Sequence, residues 1–260
     1  MATYNKRGFK PKNKEEKQHN IESGSTTAEV FNTLDVTASR TEAFVEKNQK
    51  VIFIIIGLVA AVVLGYLGYN EFIAKPKQTN AMNDMFQAQK YFDEAVDAVN
   101  NTEKDSLLNL SLNGGEGKFG MIDIISEYSG TPAAKLANYY AGTAYLKLKD
   151  YKNAIEYLNE FSSDDEVLAP LAKGNIGDAF VQLNQLDDAL DYYDQAAKMR
   201  DNNYTTPMYL YKAGTIALDL GKADKALTYF ETIKEKYPEF SEIEMVEVLI
   251  GKAKVLANKD

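Results

Sequence analysis

The chain has 260 residues, 45% apolar and 26% charged, with no cysteine and a formal net charge of −9. This is ordinary globular composition that can bury a core, and the absence of thiols excludes disulfides, cysteine nucleophiles and Cys-ligated metals. Residues 1–50 carry nine Lys/Arg against seven Asp/Glu, leaving twenty against thirty-one for the rest; that later, acidic part repels phosphate backbones, so no nucleic acid is expected as a ligand.

Residues 1–24 are polar, with almost no aliphatic side chains to offset the entropy of ordering, and are expected to form a disordered tail. His19, the only histidine, lies in it and is expected to face solvent. Over residues 25–50 the pattern changes. Thr26 and Glu29 have capping-box spacing, and Phe31, Leu34 and Ala38 follow at helical intervals. A short amphipathic helix is expected there, lying on a membrane, docked on a partner, or forming transiently.

Val51 to Tyr69 holds no charged residue, and its nineteen positions at about 1.5 Å each nearly cross a hydrocarbon core of about 30 Å. A soluble helix seldom runs so far without a polar face. A secretory signal has a shorter apolar run and a small-residue cleavage site, which Tyr66-Leu67-Gly68-Tyr69-Asn70 does not offer. The segment 51–70 therefore reads as one retained transmembrane helix in a lipid bilayer. Lys6, Arg7, Lys10, Lys12, Lys14, Lys17, Arg40, Lys47 and Lys50 precede it, and only Lys75 and Lys77 follow closely. The positive-inside rule then puts the N-terminus in the cytoplasm and residues 71–260 across the membrane, in the periplasm of a diderm bacterium. Gly57, Ala61, Gly65 and Gly68 make one stripe of small residues on this helix; it packs against another membrane helix, or it faces lipid alone.

Beyond the span, Met82, Met85, Phe86, Tyr91, Phe92, Ala95, Val96 and Val99 trace a helical face over Thr79–Val99. Leu107, Leu108 and Leu110, a glycine-rich turn, and a helix through Met121, Ile122, Ile124 and Ile125 suggest a degenerate repeat, with Pro132 placed to close it. Three regular units follow. Gly142/Ala154/Leu158, Gly177/Ala189/Tyr193 and Gly214/Ala226/Phe230 each space a small residue, an Ala twelve later and a large apolar residue four further on, at steps of 35 and 37 residues. That is the tetratricopeptide-repeat pattern, in which the small residue lets the second helix approach the first. The predicted helix pairs are 134–148 with 151–162, 168–183 with 186–200, and 207–220 with 223–236. Ser241 and Glu244 predict a capping box that opens a final helix bearing Ile243, Val246, Ile250 and Ala253 on one face. The fold class is all-α, a single N-terminal transmembrane helix followed by a tetratricopeptide-like solenoid.

The first helices of such pairs line a concave groove. Here the repeat register selects Leu136, Tyr139, Thr143 and Leu146, then Asp178 and Val181, then Met208, Tyr211, Thr215 and Leu218. Mixed apolar and aromatic, they lack a basic array for clamping a C-terminal carboxylate and suit an apolar or extended polypeptide; alternatively, several pack between repeats. Gly115-Glu116-Gly117-Lys118-Phe119-Gly120 spells G-x-G-x-x-G, but no strand precedes it and Phe119 stands where a P-loop needs Ser or Thr. Asp187, Asp191 and Asp194, and the run Ser162-Ser163-Asp164-Asp165-Glu166, lack calcium-loop spacing and read as solvated surface. No catalytic residue, cofactor or metal ligand is expected, and a binder is favoured over an enzyme.

The membrane entry Phe44-Val45-Glu46-Lys47-Asn48-Gln49-Lys50, the charged first helix and the opening of the repeats over Thr131–Tyr145 resemble the YfgM-like family of bacterial inner-membrane repeat proteins, over roughly 42–260. The resemblance implies an ancillary subunit of the Sec translocon in the inner membrane. Such a subunit works beside a PpiD-like periplasmic chaperone on unfolded secretory polypeptides. The long N-terminal tail and the glycine-rich insertion depart from the family pattern. The alternative is a scaffold subunit of another envelope-assembly or secretion complex.

Overall fold

A computed structural model describes residues 26–258, with side chains from residue 41 onward and at Ala38. The expectations for residues 1–24, including His19, and for the side chains of Thr26, Glu29, Phe31 and Leu34 lie outside what is described. The described residues are almost entirely helical and contain no strand, only one isolated bridge between Gly115 and Lys118. Contacts divide the chain into Met1–Tyr69 and Asn70–Asp260.

In the first unit α1 (Thr26–Tyr69) is one helix of 44 residues. The short helix expected before residue 51 and the apolar span thus share one backbone, because no Gly or Pro occurs between residues 26 and 56 to interrupt it. The helical stretch Thr41–Asp97 includes an 18-residue window of mean hydropathy 2.8, none of it buried by the chain, so it is long and apolar enough to cross a membrane.

The second unit opens with a π-helical turn, Asn70–Ala74, directly before α2 (Lys75–Asp97). Pro76 in the first turn of α2 has no N–H to donate to the carbonyl of Phe72, and a π-turn is a common way for a helix to absorb that missing bond. α2 buries Ala81, Met85, Ala88, Phe92 and Ala95, and leaves Met82, Phe86 and Val96 exposed; Val99, expected on the same helix, lies beyond its end and is exposed. The broad apolar face read from the sequence is therefore narrowed, because only one stripe meets α3 (Asn101–Asn113) and α5 (Pro132–Lys147). α4 (Met121–Glu127) begins after the glycine-rich turn, and α2 to α5 share a core containing Met85, Phe92, Leu108, Leu112, Met121, Ile124 and Ala141. Pro132 opens α5 rather than closing a repeat; Thr131 caps the helix, its Oγ1 accepting from the Ala134 N–H at 3.1 Å.

The regular pairs are α5 with α6 (Tyr151–Glu160), α7 (Leu168–Gln182) with α8 (Leu186–Met199), and α9 (Thr205–Asp219) with α10 (Ala223–Lys236). The repeat glycines act as the spacing implies. A Cβ on Gly142 would stand 2.5 Å from Leu158 Cγ, on Gly177 2.6 Å from Tyr193 Cε1, and on Gly214 2.6 Å from Phe230 Cε1. Ala154, Ala189 and Ala226 are each 0% exposed. Leu158, Phe161, Ala172 and Ile176 join the first pair to the second, and a larger cluster runs from Ala189 to Ala253.

α11 (Ile243–Ala257) closes the stack, burying Val246, Ile250 and Ala253. Its expected capping box does not form: Glu242 stands at the N-cap with no side-chain cap, and Ser241 bonds Glu242 instead. The helix starts where the Tyr237–Phe240 turn delivers the chain, with Ile243 N–H bonded to Phe240 O at 3.0 Å, and this leaves Ser241 outside capping position.

Candidate peptide-binding face

The first helices α5, α7 and α9 touch one another in series as well as their own second helices, so their outward sides form one strip. Residues one position after each repeat glycine, Thr143, Asp178 and Thr215, are half-buried on it. Two of them reach the next first helix at the residue two before its glycine. Asn175 Nδ2 donates to Thr143 Oγ1 at 3.4 Å, and Lys212 Nζ donates to Asp178 Oδ1 and Oδ2 at 2.7 and 2.9 Å. These bridges link neighbouring first helices.

The other groove candidates sit deeper. Tyr139 packs on Phe161 with ring centroids 5.3 Å apart, and Tyr211 lies 6.3 Å from Phe230 and 6.0 Å from Phe240. Leu136 and Met208 pack half-buried against the core clusters, and Leu218 is only 8% exposed. These aromatics present an edge while their rings wedge between helices. Leu146, Asp178 and Val181 come together in one open cleft of about 430 Å³, with Tyr151, Gln182 and Tyr193 beside them.

Asp178 is the centre of a polar node. It accepts from the Tyr193 hydroxyl at 2.5 Å, and the Lys212 ammonium that pairs with it lies 5.5 Å from the Tyr193 ring centroid and 5.7 Å from that of Tyr209. Burial first, then the Asp178 charge, push the Tyr193 hydroxyl far above the usual phenol range; burial does the same to Tyr209. Burial also raises Tyr139, against a hydrogen bond with Thr143 that lowers it. The strip thus offers apolar edges, neutral phenols and a charge-compensated carboxylate, with Lys147 and Lys149 also lining the cleft.

Register alone did not identify Tyr209 or Lys212. Its signal was present in the sequence: three residues before the repeat glycine the outer units carry Tyr139 and Tyr211, whereas the middle unit has Gly174. Tyr209 of the following helix fills that gap, and a Cβ at Gly174 would lie 1.9 Å from its Cε1.

Of the acidic residues expected to be solvated, Asp187 and Asp191 are exposed and Asp194 is half-buried; Asp187, Asp194 and the later Asp201 also bind the next unit. Lys222 Nζ donates to Asp187 at 2.6 Å, Tyr229 to Asp194 at 2.7 Å and Tyr237 to Asp201 at 2.5 Å, each pair about one repeat apart in sequence. Asp165 accepts from the N–H groups of Val167 and Leu168 at 2.8 and 2.7 Å and so starts α7; these two bonds hold its carboxyl below the usual range. Among the described residues no group of three or more His, Cys, Asp or Glu could hold a metal ion. The glycine-rich segment is a compact turn in which a Cβ on Gly120 would stand 2.3 Å from Gly114 N and Leu112 O. Backbone packing accounts for that glycine. Gly57, Ala61 and Gly65 are exposed and Gly68 is half-buried, and among the described residues nothing lies within 4 Å of a Cβ at Gly57, Gly65 or Gly68.

Residues 136–164 and 175–239 match two models of the tetratricopeptide repeat. No curated protein matches the chain. Among solved structures, the MamA protein is similar with a TM-score of 0.43 and 18% identity, over 69% of this chain and 88% of that one. Nearly identical TPR-like repeats of a Podosopora anserina kinesin light chain are similar with a TM-score of 0.47 and 12% identity, over 70% and 88%.

Proposed function

We propose that this chain, which carries tetratricopeptide repeats over 136–164 and 175–239, is a membrane-anchored, non-enzymatic adaptor that holds polypeptides against the α5–α7–α9 strip. The supporting observation is the strip itself, with its series of bridged first helices and the cleft at Leu146, Asp178 and Val181. Repeats of this kind serve protein–protein contact through such extended surfaces.

In the finer reading, 1–24 is a cytoplasmic tail, 25–50 a juxtamembrane segment, 51–70 the inner-membrane span and 71–260 a periplasmic domain. The partners are Sec translocon subunits and a PpiD-like chaperone, and the clients are unfolded secretory polypeptides. The layout of apolar helix and repeats, together with the family resemblance over 42–260, favours this assignment. The test is purification of the full chain in mild detergent together with photo-crosslinking from position 181. Recovery of translocon subunits, with crosslinks to emerging secretory chains, supports the reading. Recovery of a different envelope complex transfers the adaptor role to that machine, and crosslinks confined to lipid remove the client role. The double variant Tyr139→Ala, Tyr211→Ala is expected to keep the membrane partners and lose client crosslinks.

A further inference from the structure

The repeat glycine occurs a fourth time. Gly251 follows Gly214 by 37 residues, the same step that separates Gly177 from Gly214. In α5, α7 and α9 the glycine meets a large side chain of the following helix, Leu158, Tyr193 or Phe230. In α11, among the described residues, nothing lies within 4 Å of a Cβ at Gly251. The flanking positions tell the same story. Four residues after the glycine, Leu146 and Val181 are half-buried and Leu218 is 8% exposed, whereas Val255 is 58% exposed. Three before it, Tyr139 and Tyr211 are half-buried and Val248 is 65% exposed.

α11 therefore has the register of a first helix, and among the described residues no second helix covers it. Its inner side is satisfied, since Glu247 pairs with Lys234 at 2.8 Å and Lys254 with Glu231 at 3.2 Å across to α10. Its outer side exposes Val248, Gly251 and Val255, with Glu244 and Lys252 beside them. A glycine in mid-helix also weakens that helix; the other three return this through close packing within the chain, and Gly251 does not. Two exposed valines flank this uncovered glycine, the arrangement that a second helix covers in the other three units.

We infer that the outer face of α11, centred on Gly251 and flanked by Val248 and Val255, is a docking site for an amphipathic helix of a partner protein. That helix presents a small residue and, four positions on, a bulky apolar one, the pattern by which α6, α8 and α10 cover the other three glycines. A second copy of this chain is disfavoured as occupant, because Ala154, Ala189 and Ala226 on its own helices of that pattern are 0% exposed within their own stack.

The test uses the full chain in dodecyl maltoside and a fluorescent peptide with the α10 sequence ADKALTYFETIKEK, stapled on its polar face because a free helix of this length is marginal in water. Saturable binding by anisotropy is expected. Gly251→Leu fills open space, so it should leave helical circular dichroism unchanged and weaken binding about tenfold or more, as overpacking a helix contact does. Replacing the peptide's Phe230 equivalent by Ala should weaken it similarly. Val181→Ala, in the cleft of the strip and away from α11, should bind the peptide like the parent chain, which separates this face from the α5–α7–α9 strip. Equal binding by Gly251→Leu, or no binding at millimolar peptide, overturns the inference. So does sedimentation in which Gly251→Leu dissociates a dimer, which would assign the face to a second copy.

Discussion

The ring of Tyr209 occupies the space that a side chain at Gly174 would need, joining the first helices of the second and third pairs across one repeat step. Tyr209 is 1% exposed and stacks at 6.1 Å on Tyr193, so it cannot swing aside without disturbing the Asp178 node. Gly174→Ala is expected to lower stability by about 1–3 kcal/mol through overpacking. In the double variant Gly174→Val, Tyr209→Ala the added volume partly fills the cavity, so the loss should be smaller than the sum of the two single losses. Urea denaturation followed by circular dichroism measures this, and strict additivity would mean that the two residues do not compete for one space.

Ala189 is fully buried between α7 and α8. Ala189→Arg forces a long charged side chain into that contact and should cost several kcal/mol, about 3 or more. The helical melt of the variant should begin well below that of the parent, and an unchanged midpoint would contradict the packing of the middle pair.

The Asp178–Lys212 pair has side chains 33% and 35% exposed, so solvent screens much of its attraction. A double-mutant cycle with Asp178→Asn and Lys212→Met should return a coupling of about 0.5–1 kcal/mol that shrinks with added salt. A coupling near zero at low salt would show that the bridge does not hold α7 to α9.

Alkaline pH should loosen the second-helix ladder. Burial, then the hydrogen bond and charge of Asp201, push the Tyr237 hydroxyl up to about 12 from an unfolded value of 10.0. A raised pKa contributes stability that is fully present below the unfolded value and is lost as pH rises through the folded one, here between pH 10 and about 12. Tyr237→Phe should flatten the fall in melting temperature across that window. At the acid end Asp194 behaves oppositely: burial raises its pKa, but hydrogen bonds from Lys198 and Tyr229 and the charges of Lys198 and Lys225 outweigh that and leave it lowered. Its contribution is present above the unfolded value of 3.8 and fades as pH falls through the folded one. Asp194→Asn should therefore lower the melting temperature at neutral pH and converge on the parent as pH falls below 3.8; a difference that stayed constant with pH would contradict that balance.

If the Gly57/Ala61/Gly65 stripe packs on a partner's membrane helix, Ala61→Leu or Gly65→Leu separates the backbones while leaving insertion intact. Recovery of the membrane partner in mild detergent should then fall severalfold, about the change that the loss of 1 kcal/mol produces. Undiminished recovery would leave this helix as a tether.

The repeat register was legible because each unit is decided by a pair of neighbouring helices. A glycine, an alanine twelve residues on and a bulky residue after that meet whenever two short helices fold back on each other, so their spacing carries the contact. The membrane-length helix was legible for a similar reason, since length and the absence of charge suffice. Local rules failed where residues outside the pattern set the outcome. Ser241 and Glu244 have the right spacing for a capping box, but the turn from α10 decides where α11 begins. Met82 and Phe86 look like core residues, yet the packing of α2 on α3 and α5 leaves them outside.

The sequence by itself determined an apolar helix long enough to span a bilayer and a stack of helix pairs, because hydropathy and steric spacing within one repeat are local quantities. Only the tertiary structure decided which strip residues wedge inward, that Tyr209 replaces the side chain missing at Gly174, and that Gly251 stands uncovered. Each of those depends on what the next helix along the stack brings, or does not bring, into contact.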